Sequence, residues 1–306
     1  MKFRILICLC ATILVAGLAT AQSKYFVVNL GTPLGGTIAG ASSINNIGWT
    51  VGGAYQTGNT SEHAELWVGA PMDLGTLGGP NSNVAWPNKN NTLEIAGIAE
   101  TAQADPLGES WSCSAFFPTV THQVCLGFVW QGGVMTALPT LGGNNGYAAG
   151  INNLGQVVGW AENTFHDPTC VAPQVLQFEA VVWEPGSGNM HQRTPYPGDP
   201  DSSATAINDQ GQVIGISGTC DNAVGEFSAA HALLWDHGTP ISLGSLGGVA
   251  WNTPTAISDR GEVVGFSDLP GDESGQPNYN AFLWTRSTGM VNLKTLPGDA
   301  FSARTP

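Results

Sequence analysis

One heptapeptide constrains this chain more than any other feature. "DLGTLGG" at 73–79 returns in looser form at 29–36, 137–143, 242–248 and 292–299. A second and a third motif follow it in fixed order. "ASSINNIGWTVGG" from Ala41 leads to "HAELW" ending at Trp67, and "AAGINNLGQVVGW" from Ala148 leads to "EAVVW" ending at Trp183. "ATAINDQGQVIGIS" from Ala204 leads to "HALLW" ending at Trp235, and "PTAISDRGEVVGFS" from Pro254 leads to "NAFLW" ending at Trp284. A degenerate copy has "NKNNTLEIAGIAE" from Asn88 and "GFVW" ending at Trp130. The chain thus holds five copies and the opening of a sixth.

Successive tryptophans stand 63, 53, 52 and 49 residues apart, and a period of roughly 50 residues marks stacked or ring-like repeat folds. Each unit holds short runs rich in β-branched and aromatic residues, broken by Gly, Asn and Asp, and beyond the N-terminus no stretch sustains a 3.6-residue apolar period. The expected fold is all-β: a β-propeller-like ring of four-stranded antiparallel blades, five complete and a sixth partial. In "INDQGQVIG" the residues Asn208 to Gly211 read as a hairpin connection, in which Asn and Asp cap their own backbone and Gly211 takes positive φ. The closing tryptophan is a large apolar plug suited to packing between neighbouring sheets.

The N-terminus reads as a secretory signal peptide over 1–21. Lys2 and Arg4 precede an apolar run from Ile5 to Ala19, and Ala19-Thr20-Ala21 forms a small-x-small cleavage site. The run is short of the ~20 residues that span a bilayer, so a secreted, extracellular product beginning near Gln22 is expected, with 22–306 as one repeat domain cut short at its C-terminus. Loss of Lys2 and Arg4 leaves seven basic residues against 23 acidic ones, a formal charge of −16. Such a surface lacks the basic footprint that nucleic acid requires and is disfavoured at anionic membranes. Four cysteines remain, an even number in an oxidising compartment. Cys113 with Cys125, closing one loop, and Cys170 with Cys220, linking neighbouring repeats, are the favoured pairs. Zinc is disfavoured because no CxxC occurs and no histidine is spaced as a partner ligand.

The motifs "DLGTLGG", "AINDQGQVIG" and "HALLW" resemble the HAF repeat, named for its His-Ala-Phe triplet and found in tandem in secreted bacterial proteins. The resemblance runs from about Asn29 to the C-terminus and implies a propeller-like fold and an extracellular address. It implies no catalytic residues. His63 and His231 match the histidine of the triplet, whereas Phe128, Glu179 and Asn280 lie near the equivalent place. "KYFVVNLG" at 24–31 resembles the last strand of a blade, and "LPGDAFSA" near the C-terminus resembles the opening of another.

Function is expected where the repeats differ, in the connections at 53–62, 99–126 and 161–178. If the "IN" strand is innermost, one rim would collect Trp86, Trp111, Tyr147 and Trp251 with Asp199, Asp201, Asp272, Glu273 and Asp299, a set suited to a glycan because rings stack on sugar C–H faces while polar groups bind hydroxyls. The acidic turns at 197–203 and 270–275 offer hard oxygen ligands for calcium, without the spacing of an EF-hand or RTX repeat. No GxSxG, HExxH or P-loop occurs, and the six histidines are scattered over different units. The expectation is a non-catalytic binding or scaffold module for a glycan or protein partner, with no metal or cofactor required. The alternatives are a polysaccharide-active enzyme using rim carboxylates and a structural cell-surface protein.

Overall fold

The computed structural model describes residues 27–87, 90–186, 188–221, 228–271 and 278–294. Within them the chain forms five four-stranded antiparallel sheets, each a meander whose strands pair in chain order, arranged as the blades of a propeller ring. Blade 1 comprises β1 (Gly35–Ile44), β2 (Thr50–Gln56), β3 (Glu62–Val68) and β4 (Ala70–Asp73). Blade 2 comprises β5 (Gly78–Asn83), β6 (Glu94–Ala104), β7 (Gln123–Gln131) and β8 (Val134–Ala137), and carries a single helical turn, α1 (Trp111–Ser114). Blade 3 comprises β9 (Gly146–Ile151), β10 (Val157–His166), β11 (Leu176–Trp183) and β12 (Met190–Gln192). Blade 4 comprises β13 (Asp201–Ile207), β14 (Val213–Gly218), β15 (His231–Asp236) and β16 (Thr239–Gly244). Blade 5 comprises β17 (Thr253–Ile257), β18 (Val263–Asp268), β19 (Tyr279–Thr285) and β20 (Gly289–Asn292). The signal segment and the partial sixth blade lie outside the described residues. Residues 27–31, expected as the last strand of a blade, carry no strand.

The repeated sequence is explained strand by strand. The "INDQG" turn joins β13 to β14: Asn208 Oδ1 accepts from the Gln210 and Gln212 amides at 3.1 and 2.9 Å, and Gly211 sits at φ 76°. The glycine of "VIG" has a different cause. The first strand of blade 4 carries a register shift between Ala204 and Ala206, and this turns the Ser203 carbonyl onto Gly215, where any Cβ would overlap it. Gly52, Gly159 and Gly265 meet the carbonyls of Gly40, Tyr147 and Thr253 in the same way. One bulge, four times repeated, fixes one glycine.

Strand alternation gives each blade two apolar faces with different chemistry. On β14 and β15 the forward face presents Ile214, Ala232 and Leu234, which meet Val263, Phe282 and Trp284 of blade 5. The backward face presents Val213, Leu233 and Trp235, which with Ala204 meet Val158, Ala180 and Val182 of blade 3. Blade 1 meets blade 2 likewise, through Val51, Ala64 and Leu66 against Val84, Ile95, Phe128 and Trp130. In blades 1, 3 and 4 the forward face sets one alanine, Ala64, Ala180 or Ala232, against the Trp-bearing backward face of the next blade. Trp183 and Trp235 are almost wholly buried, and burial of an apolar side chain of this kind contributes roughly 2–3 kcal/mol. Their indole nitrogens donate to Pro139 O at 2.9 Å and Thr194 O at 2.7 Å, each at the exit of the preceding blade.

Candidate functional site

The first strands of blades 1, 3, 4 and 5 line one channel of about 740 Å³. Its walls include Ile44, Ile151, Ile207 and Ile257, and the turns that follow contribute Asn152, Asn153, Asn208, Asp209, Ser258 and Asp259. The "IN" strand is therefore the channel-facing strand.

Those turns are wired to one another. Each leading asparagine donates its side-chain amide to the main-chain carbonyl of its counterpart one blade on: Asn45 to Asn90 at 2.9 Å, Asn90 to Asn152 at 2.6 Å, Asn152 to Asn208 at 3.0 Å and Asn208 to Ser258 at 2.9 Å. Each following residue donates its backbone N–H to the next side chain: Asn46 to Asn91 Oδ1, Asn91 to Asn153 Oδ1, Asn153 to Asp209 Oδ1 and Asp209 to Asp259 Oδ1, at 2.7 to 3.1 Å. The Asn-Asn and Asn-Asp pairs thus form a directional ladder around the channel, a role beyond the hairpin capping that the sequence suggests.

A second set of clasps joins neighbouring blades away from this ladder. Asn81, Asn145 and Asp201 occupy one position in blades 2, 3 and 4, and their Oδ1 atoms accept the backbone N–H of Glu62, Cys125 and Phe178 of the preceding blade at 2.9, 3.0 and 2.9 Å. Asn145 also meets the buried carboxylate of Glu162, which takes the N–H groups of Asn144 and Asn145 at 3.1 and 2.7 Å. Gln174 Nε2 bridges Glu162 and Glu109 at 2.9 and 3.2 Å. Burial, then the nearby charge of Glu109, pushes the Glu162 carboxyl up to about 7. Asp201 has no amide to donate and faces Asp167 instead. Burial, followed by the hydrogen bond and charge of Asp167, raises its carboxyl to about 9.

Among the described residues, the expected ligand-binding side chains stand in different surroundings. Tyr147 is buried and stacked on Phe116, with ring centroids 4.9 Å apart, and Asp201 is the buried clasp just described. Both are core residues because their strand positions face the neighbouring blade. Asp199 Oδ2 accepts from Ser217 Oγ at 2.6 Å and pairs with His231 Nδ1 at 2.7 Å, while the His231 ring stacks on Tyr196 at 4.0 Å. Trp86 packs against the core shared by blades 2, 3 and 4. The Trp111 side chain, and Asp272, Glu273 and Asp299, lie outside the described residues. Trp251 alone stands in a half-exposed aromatic group, stacked on Tyr279 at 5.8 Å and 13°, with Phe266 tilted against both.

The cysteines pair as expected. Cys113–Cys125 and Cys170–Cys220 are disulfides, and the second ties blade 3 to blade 4 across 50 residues. Among the described residues, the one convergence of metal-ligating types is Glu100 with Cys113 and Cys125, and the disulfide removes both thiolates from metal chemistry. In the acidic turn at 197–203 the two carboxylates have separate partners, His231 and Ser217 for Asp199 and Phe178 and Asp167 for Asp201. That turn does not present the oxygen cluster that calcium takes. The other acidic turn falls mostly on residues 272–277, outside the described residues.

The histidine of the triplet has a local use where it occurs. His63 pairs with Asp73, the last residue of β4, at 2.9 Å, and His231 pairs with Asp199, in the turn before β13, at 2.7 Å. The likeness to the HAF repeat rests on these motifs, whereas the five-bladed architecture is independent of it. Comparison with models of known protein families finds no match, and comparison with curated proteins finds no related sequence.

Proposed function

We propose that this protein is a secreted, non-catalytic binding or scaffold module whose ligand is a glycan, read by an aromatic platform on blade 5. The supporting observation is the half-exposed group of Trp251, Phe266 and Tyr279. Equivalent strand positions in blades 2, 3 and 4, held by Ile98, Trp160 and Ile216, are buried in a shared core, so blade 5 differs from the others in leaving its rings accessible. Aromatic faces beside polar groups suit sugar C–H surfaces and hydroxyls. The repeated polar side chains are occupied in joining blades, which leaves the non-repeated surface for recognition. Export is supported by the signal-like N-terminus and by two disulfides, which persist in oxidising compartments.

A glycan array probed with the full chain and with Trp251→Ala tests this reading. The expected result is retention of at least one glycan class, with affinity reduced roughly tenfold or more in the variant, about 1.4 kcal/mol. Absence of glycan binding, or binding unchanged by the substitution, would overturn it. Release of shorter sugars from the bound glycan would favour the enzyme alternative.

A further inference from the structure

The joint between blades 2 and 3 holds a second cavity, of about 370 Å³, between the outermost strand of blade 2 and the β11–β12 hairpin of blade 3. That volume falls at the small end of ligand-sized pockets, roughly 300–1,000 Å³. Val134, Leu138, Val157 and Trp183 supply apolar wall, and the charged residues lining it are Glu94 and Glu184. The two acids bracket one turn. The Glu94 carboxylate stands 3.2 Å from the position that a Cβ on Gly155 would take, and the next residue, Gln156, donates Nε2 to both oxygens of Glu184 at 3.2 Å. Glu184 also has His191 at 3.9 Å and Arg193 within electrostatic reach. The hydrogen-bond partners of Glu94 are neutral, Asn90 Nδ2 at 3.3 Å and Thr92 Oγ1 at 3.0 Å, and no cation pairs with it among the described residues.

The other joints differ at the same positions. Beside Gly211 and Gly261, where Glu94 would stand, blades 3 and 4 set neutral Gln156 and Gln212. The joint between blades 4 and 5 also has a cation of its own, since Arg286, two residues past Trp284, pairs with Asp236, one residue past Trp235. The corresponding residues between blades 2 and 3 are Pro185 and Gln131. This joint thus gains an acid and lacks the arginine. Exposed apolar side chains frame it: Leu93 and Leu154, each one residue before a lining residue, are 43% and 60% exposed, and Val134 is 63% exposed. Apolar side chains grouped around a charged cleft mark an interaction surface. We propose that this cavity is a docking site for an arginine side chain of a partner protein, flanked there by apolar residues. The guanidinium faces Glu94, with its donors in the planar fork that suits a carboxylate, and the alkyl stem lies along the apolar wall. Lysine is a poorer occupant because its ammonium is a strongly hydrated point charge. The excess of acidic residues draws basic partners to the whole surface, whereas the cavity fixes where one arginine sits.

Titration of the full chain with acetyl-Leu-Arg-Leu-amide, followed by NMR, tests this. Saturable shifts of the Gly155 amide and the Trp183 indole N–H are expected, with affinity reduced roughly tenfold or more when neutral citrulline, of nearly the same shape, replaces the arginine. Glu94→Gln, which keeps an acceptor for Asn90 and Thr92, is expected to weaken binding to the same degree. Pro185→Arg places a cation where blade 5 has its own and is expected to block the peptide. Pro185 is exposed, so this variant tests the site independently of any disturbance to the Glu94 turn. Trp251→Ala is expected to leave peptide binding unchanged, which separates this result from that of the glycan array. Absence of saturable binding, equal binding of the citrulline peptide, or binding indifferent to both Glu94→Gln and Pro185→Arg would overturn the proposal. So would loss of peptide binding in Trp251→Ala, which would assign the peptide to the aromatic group of blade 5.

Discussion

The side-chain amide of Asn152 donates to the main-chain carbonyl of Asn208, 3.0 Å away in the next blade. The same asparagine receives the amide of Asn90 on its own carbonyl at 2.6 Å and caps its own turn through Oδ1. A hairpin residue therefore sets the spacing of three blades. Local turn chemistry and ring assembly are satisfied by one side chain, which is why the pattern recurs almost unchanged.

Asn152→Ala is expected to destabilise the fold by about 2–3 kcal/mol in denaturant unfolding, since it leaves the buried Asn208 carbonyl and two turn amides without that partner. Asn46→Ala, at the exposed start of the ladder, is expected to stay within about 0.5 kcal/mol. A cost for Asn152→Ala as small as that for Asn46→Ala, which keeps its backbone donor, would show that the ladder contributes no stability.

Gly215→Ala is expected to cost about 2–3 kcal/mol, as overpacking does in a closed site, because its Cβ would overlap the Ser203 carbonyl and crowd Trp235. Gly40→Ala, where nothing stands within 4 Å of the added carbon, provides the control. Thermal melting of both variants checks the difference.

Stability is expected to fall on the alkaline side. Burial holds Glu62, Glu65 and Glu162 at about 7 and Asp201 at about 9 in the folded chain, whereas an unfolded carboxyl titrates near roughly 4. The folded state binds these protons more tightly, so their contribution is full below roughly pH 4 and is lost as pH rises through 7 and then 9. Melting temperature should decline between mildly acidic and alkaline buffer, and Asp201→Asn should flatten the upper part of that decline. A melting temperature that climbs over the same range would contradict this account.

Removal of the Cys170–Cys220 disulfide by paired serine substitutions is expected to cost about 4 kcal/mol, against about 3 kcal/mol for Cys113–Cys125, from the entropy of closing the longer and the shorter loop. The loops span 50 and 12 residues. Calorimetry on the two double variants checks the order. The cross-blade pair should also loosen blade 4 against blade 3, read as faster hydrogen exchange in β13.

The repeat architecture was legible in the sequence because the blades share local devices: a turn capped by Asn or, in blade 5, Ser, a glycine opposite a bulge in four of the five, and the tryptophan at a fixed strand position. Periodicity also indicated that "IN" strands and Trp strands are separate members of one meander, and cysteine spacing pointed to both disulfides. Those features depend on neighbours in the chain or on repetition, which a linear reading detects. Which side chains face a ligand depends on the two faces of each sheet and on what the next blade covers. Tyr147 and Asp201 resemble surface aromatics and acids by type, yet their strands turn them into joints between blades. Trp251 stays accessible because the corresponding end of blade 5 is not covered in the same way. The amino-acid order determined the blade and its repetition, since hydrogen bonding and alternation act over a few residues. Tertiary packing alone decided which polar groups became clasps and which carboxyls were buried, because those outcomes depend on burial between residues some 50 positions apart.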